Sequence, residues 1–175
     1  MDKSSLLLAL RQHTQDIHAR LDEVAGTFGT LGSYRTFVAR SLRFRKAAEP
    51  RLRGNAEWQP QSLLPELQLD AEDLSLEVPT EGPPMAPLNA AERVGALYVL
   101  EGSALGAHVL FERARALGLN ECRGARHLAK QTGDAGRWRN FLGYLDARSD
   151  LDRAAVLGGA MSMFETALAV YSGAR

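Results

Sequence analysis

The stretch 97–106 reads "LYVLEGSALG" and places two glycines inside an apolar, helix-favouring sequence. Gly102 and Gly106 are four residues apart, so both lie on one face of a helix. A glycine in a helix interior costs about 1 kcal/mol relative to alanine. A helix that carries two of them on one face has either a closely packed neighbouring helix or a flat ligand against its backbone.

The residues at the ends of this face favour the ligand over the neighbouring helix. Tyr98 lies four residues before Gly102, and Arg113 lies seven residues after Gly106. The stripe therefore has a phenol at one end, a cation at the other and bare backbone between them. A planar apolar ligand with anionic edges suits this stripe, whereas a helix–helix contact more often has apolar residues at such positions.

A second candidate site lies on the predicted first helix, from Ser5 to about Ala25. His18 shares one stripe of this helix with Arg11, and Asp22 follows His18 by four residues. Asp22 is placed to bond one ring nitrogen, as the partner of a metal-bound imidazole usually does. Arg11 lies roughly 10 Å earlier along the axis, which suits a cation that binds the carboxylate of a ligand over His18. A lone histidine on a helix is more often a plain polar residue, and that alternative stays open.

The bulk composition indicates one soluble domain spanning residues 1–175. Hydrophobic residues make up 45% of the chain, and the 21 basic residues balance the 21 acidic ones, so no net field attracts nucleic acid or an anionic membrane. A single cysteine, Cys122, excludes an intrachain disulfide. No apolar run is long enough for a signal peptide or a membrane span, which predicts a cytoplasmic protein. Three charged residues exclude a membrane dimerisation motif around the glycines: Arg93, Glu101 and Glu112.

The apolar periodicity predicts an all-α protein with five or six main helices, because no strand pattern occurs anywhere in the chain. The region 54–87 holds six of the seven prolines and is predicted as loop with short helical pieces at 62–67 and 71–74. The stretch 120–136 is predicted as mostly loop, with room for one turn of helix. The further predicted helices are 34–52 capped by Ser33, a helix from Pro87 or Asn89 to Leu117, the amphipathic segment 137–148, and a last helix from Asp150 or Leu151.

A resemblance to a known family rests on two motifs, "LRQHTQDIHARLD" at 10–22 and "LYVLEGSALGAHVLFERA" at 97–114. They resemble the TxxxH first helix and the GSxxG-like middle helix of the haem oxygenases. The segments "GARHLA" and "WRNFLGYLD" are similar to the short bacterial members, which include enzymes that supply biliverdin to bacterial phytochromes. The resemblance implies a single-domain helical bundle with haem between the first helix and a glycine-kinked distal helix.

The resemblance also implies roles for particular residues. His18 is implied as the iron ligand, and the backbone of Gly102 and Gly106 is implied to touch the haem and to bend the helix over it. Ser103 stands where mammalian-type enzymes carry an aspartate that anchors distal water. The residues implied at the haem propionates are Arg11, Tyr98 and Arg113.

The function implied is oxygen- and electron-dependent cleavage of haem, which is both cofactor and substrate, to biliverdin, CO and Fe²⁺. The electrons would come from a ferredoxin, a flavodoxin or a reductase, and the basic stretch 40–53 is the expected docking surface for an acidic donor. A bacterial phytochrome is a possible product acceptor, and the α-meso position is the expected site of cleavage. The missing distal aspartate motivates an alternative, a non-catalytic haem-binding or storage protein of the same fold. A third hypothesis is a helical protein without haem.

Overall fold

The computed structural model describes residues 5–26, 28–53, 57–77, 81–148 and 150–173. Within these ranges the chain forms seven α-helices and no strand, so the predicted all-α class is confirmed. The predicted number of five or six helices was too low. The helices are α1 Ser5–Ala25, α2 Leu31–Leu52, α3 Leu64–Asp73, α4 Ala90–Ala116, α5 Arg126–Thr132, α6 Arg137–Asp146 and α7 Arg153–Tyr171.

The start of α2 differs from the predicted one, because its N-cap is Thr30 and not Ser33. The Thr30 side chain accepts a hydrogen bond from the Ser33 amide at 3.2 Å, and the Ser33 hydroxyl oxygen accepts one from the Thr30 amide at 3.1 Å. This reciprocal pair is a capping box, in which the second residue lies three positions inside the helix. The helix therefore begins three residues earlier than predicted.

Two other predicted boundaries were wrong for similar local reasons. The two helical pieces expected within 62–74 are one continuous helix, α3, with proline in its first turn, where a missing N–H costs nothing. The last helix begins at Arg153, because the Asp152 side chain accepts a hydrogen bond from the Ala154 amide at 2.9 Å. By contrast, α4 begins directly after Asn89, one of its two predicted starts.

The two central helices, α4 and α7, cross at a different pair of glycines from the pair at 102–106. A Cβ atom at Gly95 would overlap the carbonyl of Val156, and one at Gly159 would overlap the carbonyl of Glu92. These two glycines therefore allow the close helix crossing. Both helices are long and apolar enough to span a membrane, but many of their apolar residues belong to the core of the bundle.

The short helix α5 is longer than the single turn that the sequence allowed, because it is held by a residue far away in sequence. The buried carboxylate of Asp70 on α3 accepts hydrogen bonds from the amides of Arg126 and His127, both at 3.0 Å, and contacts the His127 Nδ1 at 2.7 Å. Burial raises the pKa of Asp70, but these hydrogen bonds outweigh it and keep the pKa below its usual range. Burial lowers the pKa of His127, and the nearby carboxylate opposes this only in part.

We expect the free energy of unfolding to decrease as the pH falls from 7 to 5. In the unfolded chain His127 has a pKa of about 6.5, and in the folded chain its pKa is lower. Below pH 6.5 the unfolded chain therefore binds a proton at His127 that the folded chain does not bind, so acid favours unfolding. Urea denaturation across this range should show the decrease, and the variant His127→Gln should show a flatter dependence. An equal slope in both proteins would disprove the assignment to His127.

Candidate functional site

The helices α1 and α4 lie side by side and are joined at two points. The phenol of Tyr98 lies close to Thr14 in the middle of α1, and the guanidinium of Arg113 donates to the carbonyl of Gly26 just after α1. The contact that comes first along α1 also comes first along α4, so the two helices run in the same direction. Each helix packs mainly against α7, so between the two contacts α1 and α4 have little direct contact.

The predicted histidine lies between these two contacts, on the α1 side. Its Nδ1 is 3.0 Å from a carboxylate oxygen of Asp22, as the four-residue spacing predicts. Its ring is edge-on to Phe164 of α7, with 5.5 Å between ring centroids, and the His18 side chain is 59% exposed. Because Asp22 takes Nδ1, the ring nitrogen that can bind a metal is Nε2.

The predicted glycines lie between the same contacts, on the α4 side. At Gly106 a Cβ atom would meet no heavy atom within 4 Å, so the helix backbone there borders open space. At Gly102 a Cβ atom would lie 3.6 Å from the indole of Trp138. Leu105 and Val109 lie beside the glycines and are 58% and 56% exposed. An unfilled apolar helix face of this kind typically marks a binding site.

Trp138 on α6 was not predicted as a site residue, and it closes one end of the glycine face. Its ring lies 5.8 Å from the ring of Tyr98 and stacks on Phe141 at 5.8 Å between centroids. The amphipathic pattern of 137–148 predicted the helix correctly. The apolar periodicity of one helix does not show which other helix its aromatic residue will contact, so this contact is not indicated by the sequence.

The three predicted propionate partners lie at the two ends of the face. Arg11, which is exposed, acts on the Tyr98 phenol electrostatically; burial raises the pKa of Tyr98, and Arg11 and Thr14 oppose it. Arg113 is at the opposite end, where it bonds the carbonyl of Gly26. Arg11 and Tyr98 are thus at one end of the face, close enough for the charge of Arg11 to act on the phenol, and Arg113 is at the other end.

The predicted distal serine has partners that the sequence did not reveal. The Ser103 hydroxyl donates to the carbonyl of Leu100 at 2.6 Å, and its oxygen accepts hydrogen bonds from Gln131 at 2.7 Å and Arg45 at 3.3 Å. Arg45 is only 6% exposed. The expectation that the whole basic stretch 40–53 forms a docking surface was therefore wrong for Arg45, whose charge points inward to Glu49 and Ser103.

The donor set of this site is one imidazole. Among the described residues no three histidine, cysteine or carboxylate side chains come together to hold a metal ion. A single nitrogen ligand suits a metal that arrives with its other ligands in place, as iron does in a haem. The open glycine face, the exposed apolar side chains and the cations at its ends fit a flat, apolar macrocycle with anionic edges.

The chain is similar to known haem oxygenases in sequence and in structure, although no family model matches it. It is 36% identical over 148 residues to haem oxygenase PigA of Pseudomonas aeruginosa, covering 76% of this chain and 73% of the relative. It is 38% identical over 111 residues to a haem oxygenase of Xanthomonas campestris pv. campestris, covering 61% and 66%. The solved NO- and CO-bound haem oxygenase of Neisseria meningitidis superposes with a TM-score of 0.80 at 26% identity, covering 95% of this chain and 89% of that one.

These similarities and the fold show that the chain belongs to the haem oxygenase family. More narrowly, it is a bacterial haem oxygenase, an enzyme that degrades haem to biliverdin. The family, the fold class and the activity predicted from the sequence are confirmed.

Proposed function

We propose that haem binds between α1 and α4, with Nε2 of His18 as its iron ligand and the backbone of Gly102 and Gly106 against its other face. The observation that carries this assignment is the open space at Gly106, on the same stretch of the two helices as an imidazole that Asp22 already orients. Arg11 and Tyr98 bind a propionate at one end of the face. At the other end, Arg113 gives up its hydrogen bond to the Gly26 carbonyl and binds the second propionate.

When bound, haem supplies the iron at which O₂ and electrons from an external donor react, and the products are biliverdin, CO and Fe²⁺. The contribution of the protein is orientation and shielding. Asp22 fixes the ring of His18 through Nδ1, and the glycine backbone limits which edge of the macrocycle lies open. The propionate contacts set the rotation of the haem in its plane, and we keep the α-meso carbon as the expected position of attack. Gly102, Ser103 and Gly106 are the residues on the reacting side.

The test is to add haemin, and then a reductant in air, to the purified protein. We expect one haemin per chain, a spectrum typical of histidine ligation, and conversion to biliverdin. The tetrapyrrole isomer identifies the carbon attacked. Haem that binds through His18 but survives this treatment would support the non-catalytic alternative, for which Ser103 in place of an aspartate is the motive.

We propose further that the electron donor, a ferredoxin, flavodoxin or reductase, docks on the exposed basic end of α2. Arg51 and Arg53 are both exposed there, unlike Arg45. The double change Arg51→Glu and Arg53→Glu should slow turnover with an acidic protein donor at least about tenfold at low salt, because it removes electrostatic steering. Turnover with a small chemical reductant should not change.

The control for this prediction is Arg153→Glu, an exposed arginine at the start of α7. It lowers the net charge by half as much as the double variant does, at a position away from the proposed surface. Equal slowing by both variants would show that total charge matters and that α2 is not the docking surface.

The finer assignments are proposals of the same kind. We propose one domain over residues 1–175, supported by the packing of α1, α2 and α4 against α7. A cytoplasmic location without nucleic-acid or membrane partners is supported by the balance of 21 basic and 21 acidic residues. A bacterial phytochrome as acceptor of the biliverdin is supported by the resemblance of the motifs alone.

A further inference from the structure

The hydroxyl of Ser103 is fully engaged by the protein. Its proton is donated to the Leu100 carbonyl at 2.6 Å, and its oxygen accepts from two donors, Gln131 Nε2 at 2.7 Å and Arg45 Nη2 at 3.3 Å. A hydroxyl has one proton to donate and two lone pairs, so these three bonds exhaust it. Ser103 therefore has no hydrogen left for a group bound on the glycine face.

Gln131 does have a hydrogen left. Its amide nitrogen carries two, and Ser103 uses one of them. The assignment of nitrogen and not oxygen to this contact follows from the bonding of Ser103, whose own proton goes to Leu100. Ser103 lies one residue after Gly102 and three before Gly106, so it flanks the glycine face within one turn. The half-buried amide of Gln131 is therefore held at the rim of that face.

Arg45 explains why this arrangement is fixed. It is a buried cation, which is costly unless its N–H groups are bonded. Its guanidinium donates to Ser103 and to the Gln61 carbonyl at 3.4 Å, and lies 3.7 Å from the Glu49 carboxylate. By occupying one lone pair of Ser103, Arg45 helps to direct the serine proton to the backbone and so leaves the second lone pair for Gln131.

We propose that the side-chain amide of Gln131 is the hydrogen-bond donor on the glycine side of the haem site, and that Ser103 and Arg45 are positioning residues. This inference rests on the proposed haem site. Ser103 lies immediately beside Gly102, and its position alone would suggest the serine as this hydrogen-bond donor. The proposal assigns the donor to Gln131 of α5 instead.

The probe is fluoride, which binds ferric haem and is a strong hydrogen-bond acceptor. Gln131→Leu should weaken fluoride binding to the ferric haem complex about tenfold, the effect of one lost hydrogen bond to an anion. Ser103→Ala should have a smaller effect, since Gln131 remains present. Gln68→Leu, the same change at an exposed position on α3, is the matched control and should have no effect.

A second measurement needs no haem. In the haem-free protein, Ser103→Ala should shift the NMR signals of the Gln131 side-chain amide, because it removes the acceptor of one N–H. Signals that stay in place would show that the bond is not formed in solution and would overturn the proposal.

The fluoride series separates the two possible donors. A larger loss of affinity in Ser103→Ala than in Gln131→Leu would make the serine the donor, and no loss in either variant would remove both; each result overturns the proposal. Haem binding is measured first in every protein. If the wild type lacks a histidine-ligated complex, the proposed site itself fails and this inference falls with it, whereas retained ligation with unchanged fluoride affinity rejects only the role of Gln131.

Discussion

The variant Gly106→Ala should stabilise the haem-free protein and impair haem binding and turnover. Alanine is favoured over glycine in a helix interior by about 1 kcal/mol, and its methyl group would meet no heavy atom within 4 Å. In the haem complex the same methyl group would press on the macrocycle. Such overpacking typically costs about 1–3 kcal/mol, which is roughly a five- to 150-fold loss of haem affinity. Thermal denaturation without haem and a haemin titration measure the two effects separately.

Two other glycines of α4 serve as controls for this prediction. Gly95→Ala should destabilise the haem-free protein, because its methyl group would overlap the Val156 carbonyl at the crossing with α7. Gly102→Ala should leave the haem-free fold intact, since its methyl group would lie at an ordinary 3.6 Å from Trp138. If Gly106→Ala kept full haem affinity and turnover, the glycine face would not be the haem surface.

This contrast also shows what the sequence could predict. The spacing of Gly102 and Gly106 predicts a bare helix face, and the residues at its ends favoured a ligand over a neighbouring helix. The structure agrees that no helix fills the space at Gly106. Close helix packing occurs instead at Gly95 and Gly159, which lie 64 residues apart. The periodicity of one helix cannot show that two glycines of different helices pack against each other.

The same distinction separates the parts of the site that were predicted from those that were missed. His18 and Asp22 lie on one helix, where a four-residue spacing fixes their contact in advance. Gln131 and Trp138 reach the site from α5 and α6, whose positions depend on tertiary contacts. The helix α5 in particular depends on Asp70, 57 residues before His127, so its residues were predicted as mostly loop and not as part of a site.

The variant His18→Ala should abolish histidine-ligated haem binding and with it the turnover. The His18 side chain is 59% exposed, and its contacts are Asp22 on the surface and the edge of Phe164, so its loss should change the free energy of unfolding by less than about 1 kcal/mol. A large functional loss in a protein of nearly normal stability therefore reports on ligation and not on folding. Adding free imidazole to the variant should restore a nitrogen-ligated spectrum.

Two companion variants make this prediction specific to the metal ligand. His13→Ala removes another exposed histidine of α1 and should leave the spectrum unchanged. Asp22→Asn keeps a hydrogen-bond acceptor beside Nδ1 but removes its charge, and losing such an orienting partner typically costs about 10- to 100-fold in metal affinity or activity. The order of haem affinity should then be wild type, Asp22→Asn and His18→Ala. Among the described residues, His18 is the only histidine of α1 between the two contacts that join α1 and α4. An unaltered haem titration in His18→Ala would therefore show that the iron ligand does not come from this part of α1.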